Sequence, residues 1–183
     1  MKAWKRIDPT KVTKVGWRKI TTKSFVMPNG SLVEFDTLHP DGQEFAGVIG
    51  LTEDNEVVIA RQFRPGPEKI MDELPGGFVD EGETPETAAR REFLEETGYK
   101  PGTMHYLGAF HKDTYMNSTW HAFLARNCVK ETDQNLEDEE DVEITLISIK
   151  NLIDNALNDN MTDHAAVLLA YDTLKQIQHK EIR

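Results

Sequence analysis

The stretch Gly77–Tyr99, GFVDEGETPETAARREFLEETGY, constrains this chain most, because it fixes a helix and loads one stripe of it with acid. Thr84 is placed to cap that helix, and Pro85 suits the first helical position, where its missing N–H costs nothing. Glu86 to Thr97 supply good helix formers, and Gly98 offers the left-handed stop. At about 100° per residue, Glu92 and Glu96 stand one turn apart, with Glu95 roughly 60° to the other side of Glu92. The three share one stripe, while Ala89 and Phe93 turn towards a core. A like-charged i,i+4 pair costs an isolated helix roughly 0.2–0.5 kcal/mol. A hard divalent cation, Mg²⁺ or Mn²⁺, reverses that sign by accepting carboxylate oxygens. The competing reading is a solvated acidic face with an Arg91–Glu95 surface pair.

The full skeleton decides between them. It reads Gly77-x5-Glu83-x7-Arg91-Glu92-Phe93-x-Glu95-Glu96-x-Gly98-Tyr99, and its seven fixed polar and glycine letters recur by chance about once in 10⁸ windows. The segment resembles the Nudix box, with Phe93 and Tyr99 in slots that more often hold aliphatic residues. The resemblance implies hydrolysis of a nucleoside diphosphate linked to another moiety, by attack of a metal-activated water on phosphorus. It implies Glu92, Glu95 and Glu96 as metal carboxylates, with Glu95 also among the catalytic acids, and the Gly76 carbonyl as a further ligand. It gives Glu83 and Arg91 a structural ion pair holding the loop against the helix. Metal bound to a diphosphate withdraws negative charge from phosphorus and makes a bound water acidic, so the chemistry needs such donors.

Before the box, Arg61-Gln62-Phe63-Arg64-Pro65 and Glu73-Leu74-Pro75-Gly76-Gly77 resemble segments of ADP-ribose and nucleotide-sugar pyrophosphatases. Arg64 suits a diphosphate through its planar fork, and Arg61 is either a second substrate contact or an ordinary surface arginine. Glu73 either accepts from a sugar hydroxyl or braces the loop. Trp17 is the candidate partner for a nucleobase, with hairpin or interface core as the other reading; Trp120 reads as core. In this branch an acidic loop before the final strand supplies the general base or an extra metal ligand. The run Glu137-Asp138-Glu139-Glu140-Asp141 occupies that place, ahead of Val142-Glu143-Ile144, so Glu140 is the candidate base and further ligand, and Glu139 the next. Taken without the resemblance, five consecutive acids are a solvated loop.

The rest of the chain sets the frame. Val57-Val58-Ile59-Ala60 reads as a central strand buried on both faces. Strands are expected at 17–27 and 31–38, joined by Pro28-Asn29-Gly30, and at 45–51, 56–63, 104–111, 120–127 and 142–149; helices are expected at 149–157, capped by Ser148, and 163–178, capped by Thr162 or Asp163. This order implies an α/β or α+β architecture, which the resemblance sharpens to a Nudix fold, a mixed sheet sandwiched between helices. In the ADP-ribose pyrophosphatase branch that the chain resembles, a region such as residues 1–40 forms a small antiparallel β subdomain that mediates a homodimer, which the hairpin at 17–38 fits, and residues 41–183 would be the hydrolase domain.

With 183 residues and a net charge of −11, the chain is long enough for one sizeable core and poorly suited to nucleic acid or anionic lipid. No apolar run is long enough to span a bilayer, MKAWKRIDPTK lacks a signal-peptide core, and the lone Cys128 reads as an unreactive thiol; a cytoplasmic location follows as an expectation. The expected substrate is a nucleoside diphosphate sugar of the ADP-ribose or GDP-mannose type. Proline is absent from His111–Ser118, where ADP-ribose enzymes commonly carry one, which broadens that expectation. Tyr115 there admits a dinucleoside polyphosphate hydrolase as an alternative. A non-catalytic nucleotide-sensing Nudix module is a further one, opposed by the intact box carboxylates.

Overall fold

Four consecutive residues, Val57-Val58-Ile59-Ala60, are all buried to within 1% of completely, and the first three alternate between two separate apolar clusters. The computed structural model, which describes residues 1–136 and 141–181, shows why. The chain divides into two compact units, one of Met1–Glu44 with His111–Thr119 and one of Phe45–Phe110 with Trp120–Arg183.

The larger unit is an eight-stranded sheet covered by helices. Its strands are β4 (Glu44–Thr52), β5 (Val57–Arg64), β6 (Lys69–Glu73), β7 (Gly76–Phe78), β8 (Tyr99–Lys100), β9 (Thr103–Phe110), β10 (Thr119–Lys130) and β11 (Val142–Ile147). The central order is β11-β5-β4-β10-β8, with β6 paired to β5, β7 to β4 and β9 to β10. On one face Val48, Val58, Phe123 and Ala125 meet Ala88, Ala89 and Phe93 of α1 (Pro85–Thr97). On the other face Ile49, Leu51, Val57, Ile59 and Leu124 meet α2 (Ile149–Leu157) and α3 (His164–Glu181). Period-two alternation along β4, β5 and β10 thus sends adjacent residues into opposite cores. Phe93 is wholly buried, and its ring occupies the space beside Gly50, where an added Cβ would overlap it.

Helix α1 has the limits its sequence dictates. The Thr84 hydroxyl accepts from the Thr87 N–H at 3.2 Å, and Gly98 closes the helix at φ 69°, its N–H donating to the Leu94 carbonyl. Ser148 caps α2 in the same way, through the Asn151 N–H at 3.1 Å.

The smaller unit is a three-stranded antiparallel sheet, β1 (Lys5–Val15), β2 (Arg18–Val26) and β3 (Leu32–Leu38). Segment 111–119 joins its edge, with the Leu38 N–H donating to the Tyr115 carbonyl at 2.7 Å and the Asn117 N–H to the Leu38 carbonyl at 2.9 Å. Trp4, Phe25, Phe35 and Tyr115 line one apolar cleft, each ring within 6.5 Å of a neighbour. Strand β1 departs from the sequence expectation, which began the hairpin at Trp17. Its residues KRIDPTKVTKV carry Pro9 and are almost all exposed, so no apolar alternation marks them. Strands β6, β7 and β8 also went unanticipated; each has five residues or fewer, too short for a period to register.

Candidate active site

The acidic stripe of α1 lies against the strand that precedes it. Gly76 and Gly77 open β7, and two glutamates of the stripe reach their backbone. The Gly76 N–H donates to Glu96 Oε2 at 2.9 Å. The Glu92 carboxylate fills the space that a Cβ on Gly77 would take, so only glycine at 77 lets an acid approach the main chain this closely. Gly76 is equally confined, since a Cβ there would overlap the Ala46 carbonyl on β4.

Arg91 sits beside this arrangement and gathers acids from three places. Its Nη2 donates to Glu83 Oε2 at 3.0 Å and to the Phe78 carbonyl at 3.1 Å. Its Nη1 donates to Glu92 Oε1 at 2.7 Å and Glu95 Oε2 at 3.3 Å. Hydrogen bonds from Arg91 hold the Glu83 carboxyl below the usual carboxylate range, and Glu83, with Glu92 next, drives the guanidinium well above its ordinary value. The loop between β7 and α1 is thereby tied to the helix through one cation.

A second set of ion pairs lies on β5 and β6. Arg64 donates through Nε to Glu73 Oε1 at 2.7 Å and through Nη2 to Glu73 Oε2, a two-pronged pair. Glu73 raises the Arg64 pKa most, and Asp163 and Glu96 raise it further, which sets the guanidinium in the field of the α1 stripe. Arg61 donates to Asp72 Oδ1 at 2.8 Å. Arg61, Arg64 and Glu73, expected to meet substrate, are therefore engaged within the protein, Arg61 with Asp72 and the other two with each other.

The remaining expected residues fall as follows. Trp17 occupies the turn between β1 and β2 in the smaller unit and is 72% exposed. Trp120 stacks on Phe45 with centroids 4.2 Å apart and planes 2° from parallel. Cys128 is buried, and burial pushes its thiol up to about 11. Glu139 and Glu140 lie outside the described residues. Their flanks are anchored: the Asn135 N–H donates to the Glu95 carbonyl at 2.8 Å, and the Gln134 amide donates to the Glu96 and Val142 carbonyls at 2.7 and 3.1 Å.

Among the described residues no three acidic, histidine or cysteine side chains already converge as a metal cluster. The donor set nonetheless fits a hard cation, because Glu92 and Glu96 both reach the Gly76–Gly77 backbone and all the candidate donors are oxygen. Sequence reasoning passed over Asp72 and read Asp163 only as a cap. Both are buried carboxylates, and the signal in the case of Asp72 was an acid beside Glu73 at the end of an apolar strand.

Comparison with known proteins is consistent with this geometry. The NUDIX domain model matches residues 43–170. An ADP-ribose pyrophosphatase of Bacillus subtilis (strain 168) is 29% identical over 129 residues, 69% of each chain. A methanol dehydrogenase activator of Bacillus methanolicus is 26% identical over 88% of this chain and 89% of its own. The crystal structure of an ADP compounds hydrolase superposes with a TM-score of 0.78 at 17% identity, covering 96% of both chains, and shows the same fold.

Proposed function

The chain belongs to the NUDIX domain family, and from that premise we propose that it is a divalent-cation-dependent pyrophosphatase acting on nucleoside diphosphate sugars, of the ADP-ribose or GDP-mannose type. Water adds to one phosphorus, the bridging P–O bond breaks, and a nucleoside monophosphate and a sugar phosphate leave. The observation that carries this reading is the approach of Glu92 and Glu96 to the Gly76–Gly77 backbone, in the field of Arg64.

Glu92, Glu96, Glu95 and the Gly76 carbonyl would hold the cation, Mg²⁺ or Mn²⁺. When bound, it would neutralise diphosphate charge and acidify a water. Arg64 trades one Glu73 oxygen for a phosphate oxygen, while Glu73 is left to accept from a sugar hydroxyl. Arg61 stays on Asp72 and holds β6 in register. Arg91 and Glu83 keep the β7–α1 loop in place throughout. Glu140, or Glu139 beside it, takes the proton from the attacking water; the anchoring of Gln134 and Asn135 on the last carbonyls of α1 supports that role. Trp17, on a hairpin that reaches a neighbouring subunit's site, stacks on the base there. A homodimer through residues 1–40 belongs to the same reading.

The test is a panel of nucleotide sugars, incubated with Mg²⁺ in ¹⁸O-labelled water. Label on one phosphate product supports the reading; a panel that stays intact at every divalent cation refutes it. Light scattering tests the dimer separately. A second reading rests on the Bacillus methanolicus relative, whose name is that of a dehydrogenase activator: the chain would then act on an enzyme, and raised dehydrogenase turnover in its presence would favour it.

A further inference from the structure

The Leu74-Pro75-Gly76 segment is pinned at each residue by a different element. The Leu74 N–H donates to Asp163 Oδ2 at 3.0 Å, at the start of α3. The Pro75 carbonyl accepts from the Val48 N–H of β4 at 2.9 Å. The Gly76 N–H donates to Glu96 of α1 at 2.9 Å. These three bonds fix the peptides 73–74 and 75–76, from which the Gly76 carbonyl is one backbone rotation away.

Asp163 suits the part. It is 7% exposed, its side chain also accepts from the Thr162 hydroxyl at 3.3 Å, and its carbonyl accepts from the Ala166 and Val167 N–H groups of α3. The chain leading to it runs alongside β6: the Asp72 N–H donates to the Asn160 carbonyl at 3.1 Å, Asp72 bridges to Met161, and the Asn155 amide donates to Asp72 Oδ2 at 2.7 Å. The α2–α3 connection therefore grips β6 backbone at 72 and its continuation at 74. A buried carboxylate on a backbone N–H is a strong, charge-assisted hydrogen bond, and Leu74 would otherwise hold a buried donor with no partner.

We propose that Asp163 is a positioning residue: through the Leu74 N–H it fixes the Gly76 carbonyl, and with it the cation site, although it touches neither substrate nor cation. The inference rests on the reading of Gly76, Glu92 and Glu96 as cation ligands. It separates Asp163 from a plain helix cap, whose loss would weaken α3 and leave cation affinity unchanged.

The experiment measures Mn²⁺ binding without substrate, by electron paramagnetic resonance, alongside the melting temperature. Asp163→Ala is compared with Asp163→Asn, whose amide oxygen can still accept from Leu74, and with Leu168→Gly, which weakens α3 at an exposed position. Asp163→Ala is expected to raise the Mn²⁺ Kd at least about fivefold, with Asp163→Asn and Leu168→Gly within about twofold of wild type. An unchanged Kd in Asp163→Ala, or an equal rise in Leu168→Gly, overturns the proposal. If Asp163→Ala does not fold, amide exchange in the wild-type protein decides. Saturating Mg²⁺ must then slow exchange at Leu74 and Gly76, and unchanged exchange at Leu74 overturns the proposal. Failure of the underlying reading looks different, because wild type itself would bind no Mn²⁺.

Discussion

The two units of this chain are built on opposite terms. Every buried apolar side chain among the described residues belongs to the larger unit, most of them in two cores on the two faces of its sheet. The smaller unit has no such core; it rests on the Trp4–Phe25–Phe35–Tyr115 rings and on Lys23 and Arg6, which share Asp41 at 2.7 and 2.5 Å. The contrast separates two jobs. Placing carboxylates to within an ångström requires a helix that cannot shift, and α1 is locked by Phe93. The smaller unit, a three-stranded sheet held by four rings and the Asp41 ion pairs, carries none of those carboxylates and is left for the dimer contact proposed above.

The sharpest way to break this comparison is to hollow the larger unit. Phe93→Ala is expected to cost about 3–5 kcal/mol in urea unfolding, because a ring in full contact leaves a cavity; a loss below about 1 kcal/mol would show that α1 is not locked. Glu96→Gln leaves that packing intact and should lower kcat about 1,000-fold, roughly 4 kcal/mol, with the melting temperature within a few degrees of wild type. Turnover near normal would remove Glu96 from the cation site. Glu140→Gln is expected to lower kcat about 100-fold, in line with general-base effects, and near-wild-type turnover would exclude it as the base. In the smaller unit Trp17→Ala should raise KM about tenfold and leave kcat alone, the pattern of lost substrate binding. A kcat effect would place Trp17 in the chemistry or in the packing.

The smallest effect is a shared one. Hydrogen bonds from Lys23 and Arg6 hold the Asp41 carboxyl below its ordinary range, as Arg91 does for Glu83. A carboxyl depressed in the folded state contributes stability at neutral pH and loses it as pH falls from the ordinary carboxylate range through the depressed value. Both units should thus soften below about pH 4, and Asp41→Asn should flatten the pH dependence of urea unfolding for the smaller unit only.

How much of this could be read from the residues follows the same division. Helix α1 was legible to its ends because Thr84, Pro85 and Gly98 are local signals needing no tertiary context. The central strand was legible because four buried β-formers in a row admit few alternatives. Strand β1 was not: its pairing partner, rather than its own pattern, makes it a strand. Within the candidate site the stripe residues announced themselves by charge density. Asp163 did not, because its bond to Leu74 spans 89 residues and no local pattern encodes a contact that distant. Arg61 and Arg64 were legible as cations, but their present partners, Asp72 and Glu73, depend on the β5–β6 register.

The close fit of the Phe93 ring against Gly50 reaches beyond stability. A single methyl group at position 50 would push the ring, and the helix that bears it, away from the sheet. Glu92 and Glu96 ride on that helix, so a change at position 50 would register in turnover. In a mutational scan, position 50 should look like part of the catalytic apparatus while carrying no functional group at all.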